Sequence, residues 1–256
     1  MEDKTILIGG CSFSESMKGR YFNVKNEEEF FKDSNFNSKK DWYPWTDLFH
    51  DEFGENNNII NVSKGSAGQS TIVSNLMQKL FELNFKVDKV IVQWSNTARI
   101  FAEKESDLIE NLNSQGFELL ANKGIDIFTK EYYEKIEKMG FDINFNSLTQ
   151  ILLFKNILKV KNIPYSFFWG WDNCLDKKYN QITKEIYDDN FWLYTHGTSE
   201  NKHLSGGFLE YVNDALGHNG EAEMEDGHPN SASHKLFYNE IIKPKIIRII
   251  KNNFVY

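Results

Sequence analysis

Residues 6–14 read Ile6-Leu7-Ile8-Gly9-Gly10-Cys11-Ser12-Phe13-Ser14, an apolar run that ends in a turn of small residues. Branched apolar residues are typical of a buried strand, and paired glycines predict a tight turn after it. A hydroxyl on such a turn projects from the end of a sheet, where a substrate can reach it. We therefore take Ser12 as the candidate nucleophile, and a serine nucleophile needs a base.

A candidate base lies near the other end of the chain, in the stretch Glu225-Asp226-Gly227-His228-Pro229-Asn230. A neutral His228 imidazole can take the proton of Ser12 if a carboxylate holds its other ring nitrogen. Glu225 and Asp226 both offer a carboxylate in this turn-rich stretch. Serine, carboxylate and histidine are the parts of an acyl-transfer site.

The rest of the chain alternates short apolar runs with segments of helical periodicity, the pattern of parallel strands joined by crossover helices. Strands are predicted at residues 6–8, 58–62, 89–94 and 164–169, and helices at residues 45–53, 71–85, 148–160 and 231–250. Long inserts at about 17–41, 100–145 and 172–225 separate them, and loops of that length usually shape a binding site or are mobile. We predict an α/β protein with a central parallel sheet, in which residues 1–256 form a single domain with long loop insertions.

Composition and charge narrow the class of protein. The 256 residues are 40% hydrophobic, 15% aromatic and 26% charged, which suits one large globular domain. The net charge of -8 argues against nucleic acid as a partner, since that affinity comes mainly from clustered Lys and Arg.

No run approaches the ~20 apolar residues of a membrane helix, and the N-terminal run is too short for a signal peptide, so we expect a soluble cytoplasmic product without a membrane partner. The two cysteines, Cys11 and Cys174, are expected to be reduced.

Ligands of open α/β sheets bind beyond the carboxyl ends of the strands, so the segments after the strands are the places to look for function. After the second predicted strand, residues 61–70 form a run of small residues that enters a helix, whose backbone N–H groups can face an anion. The third strand runs into residues 93–99, which present an amide side chain at its end. The Ser12 turn and the His228 stretch complete four such places.

In this order the four stretches resemble the four sequence blocks of the SGNH hydrolases, also called GDSL-type esterases. By this resemblance Ser12 is the nucleophile, and Asp226 and His228 complete a catalytic triad. The backbone N–H of Gly68 and the side chain of Asn96 correspond to the oxyanion donors of that family. The resemblance implies a three-layer α/β/α, flavodoxin-like fold that works without a cofactor, in a chain of bacterial or bacteriophage type.

The chain departs from the family's pattern at three points. Cys11 stands where the family has an aspartate, and the third block reads Trp94-Ser95-Asn96-Thr97 where the family has Gly-x-Asn-Asp. Asp226 lies two residues before His228 instead of three, and Glu225 occupies the three-residue spacing. We prefer Asp226 as the acid because the shorter spacing also occurs among relatives of the family, and Glu225 stays its rival.

Several of the candidate site residues could instead have a purely structural role. Ser12 and Asn96 can each cap the element that follows their strand. Gly65 is a rival to Gly68 as a donor, and Gly68 can merely permit a turn. An α/β-hydrolase of the Gly-x-Ser-x-Gly type is excluded, because Ser14 replaces the final glycine and the nucleophile follows the first strand.

Asp226, His228 and His234 are also residue types that bind metal, but no separate ligand cluster of convincing spacing completes the set, so we do not predict a metal site. His234 is expected to pack or cap. Arg99 can hold an acidic group of the substrate or form a surface ion pair. Three tryptophans near strand ends offer either a surface for a sugar ring or core packing: Trp94, Trp169 and Trp171.

We expect a serine esterase that forms an acyl-enzyme and removes a short acyl group, such as acetyl, from a carbohydrate or another small ester. Acyl transfer to a sugar hydroxyl would use the same residues. A third class is a binding or virion protein that keeps the fold without turnover. The expected partner is a small-molecule or glycan ester, with no metal and no cofactor.

Overall fold

The computed structural model describes residues 4–16, 43–65, 67–97, 142–172, 175–196, 203–217 and 228–246. None of the helices in these ranges has the length and apolarity that crossing a bilayer requires. Four residues singled out from the sequence lie outside the described ranges: Arg99, Cys174, Glu225 and Asp226.

The central sheet consists of β1 (Lys4–Gly9), β2 (Asn57–Asn61), β3 (Lys89–Trp94), β4 (Tyr165–Trp169) and β5 (Phe191–Trp192). All neighbouring strands pair in parallel, in the spatial order β2-β1-β3-β4-β5. The four strands predicted from the sequence are confirmed, with ends that shift by at most two residues. This is the flavodoxin-like order, in which the chain leaves β1 for β2 on one side and returns to β3 on the other. In sheets of this topology ligands bind beyond the carboxyl ends of the strands at the reversal point, which here are β1 and β3.

Both faces of the sheet are covered. Every residue of β3 and β4 is buried, which is why these strands appear in the sequence as near-continuous apolar runs. Alternate side chains enter two separate cores, as the pleat of a strand requires. One core receives Leu7, Val92 and Phe167, and the other receives Ile8, Ile91 and Phe168.

Helices form a layer on each face of the sheet. In the described part of the chain they are α1 (Trp45–Phe53), α2 (Gln69–Glu82), α3 (Ile143–Val160), α4 (Asn180–Ile186), α5 (Phe208–Leu216) and α6 (Ser231–Phe237). Side chains of α2, α3 and α4 fill the first core, and side chains of α1, α5 and α6 fill the second. The predicted three-layer α/β/α fold is confirmed.

The prediction of a long loop at residues 172–225 was wrong. This segment holds α4, β5, α5 and a small antiparallel sheet formed by β6 (Tyr194–His196) and β7 (His203–Gly206). Strands of two to four residues are too short to show an alternating pattern. α5 does carry apolar residues at helical spacing, Phe208, Val212 and Leu216, and the sequence prediction missed this signal.

Helix ends also differ from the prediction. α3 begins at Ile143 instead of residue 148, because the Asp142 carboxylate accepts the Phe145 N–H at 2.9 Å and caps the helix. α6 ends at Phe237, and the chain continues with π-helical geometry over Tyr238–Ile246. Residues 247–250 of the predicted last helix lie outside the described ranges.

Candidate active site

The Ser12 turn follows β1 directly. The chain forms one 3₁₀ turn, Ser12–Ser14, and the Ser14 N–H donates to the Cys11 carbonyl at 3.0 Å. Gly10 permits this turn, because a Cβ there would lie 2.9 Å from the Ser14 Oγ. Ser12 keeps 9% of its surface exposed, so its hydroxyl is held in a largely buried turn.

His228 comes to Ser12 from the far end of the chain. Its Nε2 lies 2.9 Å from Ser12 Oγ, although the two residues are 216 positions apart. The Phe13 ring packs edge-on against the imidazole, with 5.4 Å between ring centroids. The Asn230 side chain accepts the Ser233 N–H at 3.0 Å and starts α6, which fixes the chain just after His228. The structure thus brings together the predicted nucleophile and its predicted base.

The Ser12 hydrogen bond to His228 has one direction that suits catalysis. The Ser12 O–H donates to Nε2 when Nε2 carries no proton, which places the proton of a neutral imidazole on Nδ1. This Nδ1 is buried, and a carboxylate beside it would fix the required tautomer. Asp226 and Glu225, the two acids predicted for that place, lie outside the described residues, so their role stays a prediction.

The two predicted oxyanion donors lie after the strands that flank β1 in the sheet. Gly68 follows β2 and is the N-cap residue of α2, and Asn96 follows β3. The Gln69 side chain donates to the Ser95 carbonyl at 2.6 Å, so a buried hydrogen bond joins the two loops next to both candidates. The loops are therefore fixed to each other at the edge of the sheet that carries the Ser12 turn. Which way each donor points stays a prediction.

A second anchor holds the Asn96 loop from the side of α3. The Ser147 hydroxyl donates to the Thr97 carbonyl at 2.6 Å, and the Thr97 hydroxyl donates to Asn144 Oδ1 at 2.7 Å. Thr97 is 1% exposed, and the bond that its carbonyl accepts from Ser147 is buried. Asn96 thus lies between two anchored neighbours, which favours a fixed backbone at the candidate donor.

Gly65, the rival to Gly68, lies inside a tight turn. The Ala67 N–H donates to the Lys64 carbonyl at 3.2 Å and closes that turn. The Lys64 N–H in turn donates to the Gly10 carbonyl at 3.1 Å, which ties the turn to the end of β1. Gly65 thus lies in a turn that is tied to the end of β1, and its role as an alternative donor stays a prediction.

The structure separates the three tryptophans that were candidates for substrate contact. Trp94 is fully buried against the rings of Phe154 and Phe167, so it is a core residue and the substrate-binding role considered for it is wrong. Trp169 is also fully buried, and its Nε1–H donates to the Tyr187 hydroxyl at 3.2 Å. Trp171, two residues past β4, is partly exposed.

Trp171 lies beside the Ser12 turn. Its ring centroid is 5.0 Å from that of Phe13, the residue whose ring also contacts His228. The Leu209 N–H donates to the Gly170 carbonyl at 2.9 Å, so the first turn of α5 holds the segment that carries Trp171. A partly exposed aromatic ring is thus held close to the Ser12 and His228 pair.

His234 is a core residue, as predicted. It is fully buried, and its Nδ1 accepts the Trp45 N–H at 3.2 Å. Burial, and to a lesser extent the neighbouring His228, lowers the pKa of His234 to about 3, so the imidazole is neutral. Among the described residues, no group of three His, Cys, Asp or Glu side chains is placed to hold a metal ion.

No protein-family model matches this chain, and no curated protein matches it in sequence. Solved structures do resemble it. One is the psychrotrophic esterase EstA from Pseudoalteromonas sp., at 15% identity and a TM-score of 0.47, covering 97% of this chain and 100% of that one. A second is TesA, at 9% identity and a TM-score of 0.45, covering 96% of this chain and 99% of that one. A third is LAE5, an alpha/beta hydrolase enzyme from the metagenome of Lake Arreo, Spain, at 11% identity and a TM-score of 0.38, covering 95% of each chain. At such low identity the chemistry has to be inferred from this chain's own residues.

Sequence reasoning gave no role to Ser14, the last residue of the Ser12 turn, or to Gln93 of β3. Both are fully buried, and the Ser14 hydroxyl donates to the Gln93 Oε1. The signal in the sequence is a glutamine inside the apolar run of β3, because a buried amide needs partners. The sequence alone does not say where those partners are.

Proposed function

We propose that this chain is a serine esterase of the SGNH type, with Ser12 as nucleophile and His228 as general base. The observation that carries the proposal is the 2.9 Å distance between His228 Nε2 and Ser12 Oγ. Such a pair, with the base within hydrogen-bond reach of the hydroxyl, is the geometry that activates a serine.

The proposed reaction has two halves. His228 Nε2 takes the proton of Ser12 as Oγ bonds to the ester carbonyl carbon, and the carbonyl electron pair moves to oxygen. The tetrahedral oxyanion then collapses, the bond to the alcohol oxygen breaks, and the imidazolium gives its proton to that oxygen. Water attacks the acyl-enzyme with the same base, which releases the acid and restores the Ser12 hydroxyl.

The Gly68 N–H and the Asn96 amide are proposed to stabilise the oxyanion. Their loops lie on either side of β1 and are joined by the hydrogen bond from Gln69 to the Ser95 carbonyl. Preorganised donors of this kind lower the barrier by ~3 to 4 kcal/mol each. Rigid loops matter here because a donor that must reorganise during the reaction loses part of that effect.

For the substrate we propose a short acyl ester carried by a sugar. Trp171 supports this class, since a partly exposed indole can stack on the apolar face of a sugar ring. Its contact with Phe13 places it one ring away from His228. No feature of the described residues favours the acyltransferase or the non-catalytic alternative.

The test of the proposed function is ester hydrolysis by Ser12→Ala beside a matched control, Ser166→Ala. Ser166 is a buried serine of β4 whose hydroxyl has no hydrogen-bond partner among the described residues. Ser12→Ala should lower kcat for an aryl acetate by about 10⁴-fold or more, because it removes the covalent route. Ser166→Ala should hydrolyse at the wild-type rate. Wild-type turnover in Ser12→Ala would refute the assignment.

The substrate class has its own test, Trp171→Ala, assayed on an acetylated xylo-oligosaccharide and on a small aryl acetate. Loss of one stacking contact should raise KM for the glycan about 5- to 30-fold, equivalent to roughly 1 to 2 kcal/mol. The aryl acetate should change much less. Equal changes on both substrates would remove the support for a sugar.

A further inference from the structure

Four buried side chains form one line of hydrogen bonds under the Ser12 turn. The Trp45 Nε1–H donates to Ser14 Oγ at 3.1 Å, and the Ser14 hydroxyl donates to Gln93 Oε1. The Gln93 Nε2–H then donates to Cys11 Sγ at 3.2 Å. All four residues are fully buried.

The direction of this line follows from the chemistry of its members. An indole N–H can only donate, so the Ser14 Oγ accepts from Trp45 and has its own proton left for Gln93. In the structure the amide oxygen of Gln93 faces Ser14, and the amide nitrogen faces the Cys11 sulfur.

Gln93 contacts the chain on both sides of the nucleophile. Cys11 comes immediately before Ser12 in the sequence, and Ser14 comes two residues after it. The amide fits closely against β4, since a Cβ at Gly170 would lie 2.2 Å from Gln93 Nε2. One side chain on β3 thus forms hydrogen bonds on both sides of Ser12, the residue that carries the reactive hydroxyl.

The turn is also held from its opposite side. The Asn61 Nδ2–H, at the end of β2, donates to the Ser14 carbonyl at 2.8 Å. The Ser63 N–H donates to Asn61 Oδ1 at 2.9 Å, which fixes the orientation of that amide. Strands on both sides of β1 therefore contribute to the position of Ser14.

We propose that Gln93 is a positioning residue that sets Ser12 Oγ against His228 Nε2 by bridging Cys11 and Ser14. This inference rests on the proposed function, because it assigns a role in the attack by Ser12. It also gives a role to Cys11, the residue that stands where the resembling family has an aspartate. Its sulfur is the acceptor of the bridging amide.

A positioning role predicts a loss in the chemical step and little change in substrate binding. Displacing a reacting group by about 1 Å can lower a rate by ~10²-fold even when the change is made elsewhere. Gln93→Leu removes both hydrogen bonds and puts an apolar side chain in the place of the buried amide. Ser14→Ala removes one hydroxyl and tests the same bridge with a smaller change.

The experiment measures kcat and KM for an aryl acetate, the rate of Ser12 labelling by an aryl phosphonate, and the melting temperature. Gln93→Leu should lower kcat and the labelling rate about 10- to 100-fold with KM within about twofold of wild type. Ser14→Ala should lower both rates in the same way, and the double variant should lose little more than the worse single variant, because both break one bridge. The control Ser166→Ala should match wild type.

Folded Gln93→Leu or Ser14→Ala protein that labels at the wild-type rate would overturn the positioning role. If the rate losses of the two single variants multiply in the double variant, Gln93 and Ser14 act independently, and the proposal of one shared bridge is overturned. If Gln93→Leu does not fold, Ser14→Ala decides. Failure of the proposed function is a different result: wild-type protein would not label at Ser12, and Ser12→Ala would still hydrolyse the ester.

Discussion

Acid should destabilise this protein partly through one buried histidine. Burial and the nearby His228 lower the pKa of His234 from 6.5 to about 3. Between these two values the unfolded chain binds a proton that the folded chain does not, so stability falls as the pH falls through that window. At about 1.4 kcal/mol per pH unit, a change from pH 7 to pH 5 lowers the free energy of unfolding by about 2 kcal/mol, and a change to pH 4 lowers it by about 3.

The variant His234→Asn isolates this contribution. Asparagine does not titrate, and its side-chain oxygen can accept the Trp45 N–H in place of Nδ1. Urea unfolding of both proteins at pH 7, 5 and 4 gives the free energies, and their difference cancels the other titrating groups to first order. Wild type should lose about 2 kcal/mol more than the variant between pH 7 and pH 5. Parallel pH curves would refute the neutral buried imidazole.

Three further predictions concern the acid, the core and metal dependence. Asp226→Asn should lower kcat far more than Glu225→Gln, because an amide no longer favours the required imidazole tautomer, and steady-state kinetics in the reverse order would assign the acid to Glu225. Lys155→Met should destabilise the fold by about 3 kcal/mol in urea unfolding, since Lys155 is 1% exposed and pairs with Asp188 at 2.8 Å. Lys159→Met, which changes a half-exposed lysine near the same carboxylate, should cost less than about 1 kcal/mol, and similar losses in the two variants would contradict this difference. A chelator should leave ester hydrolysis unchanged, because no proposed step uses a metal, and loss of activity restored by zinc would reverse that conclusion.

The strands could be predicted from the sequence because burial on both faces leaves a local signal. Residues 90–92 of β3 are Val-Ile-Val, and such an apolar run needs no knowledge of its neighbours to be recognised. The two-residue β5 leaves no comparable signal, because its place in the sheet is set by pairing with β4. Sequence periodicity thus identifies elements that are long and buried, and misses those held by tertiary contacts.

The site was predictable to the extent that its residues stand at strand ends in a fixed order. Ser12 and His228 could be paired from the sequence because serine chemistry requires a base, and the structure places them 2.9 Å apart. The role of Trp94 could not be settled, since both a core residue and a stacking residue suit the last position of a strand. It shares its face with Val90 and Val92, and only the packing of α2 and α3 on that face shows that it is covered.

The Gln93 bridge is the part that sequence reasoning could not reach. A glutamine in an apolar strand indicates a buried hydrogen-bond partner, but the partners lie 79 and 82 positions away in the chain. They meet Gln93 only because β1 and β3 are adjacent in the sheet. Contacts of this kind depend on strand order, which local patterns do not contain.

Mass-spectrometric mapping of the adduct formed with an aryl phosphonate decides whether Ser12 is the nucleophile, because it identifies the residue that is modified. We expect one adduct, on Ser12, that is absent in Ser12→Ala and forms far more slowly in His228→Ala, where the base at 2.9 Å is gone. An adduct on another residue, or an unlabelled wild-type protein that still hydrolyses esters, would contradict the assignment of Ser12 and His228.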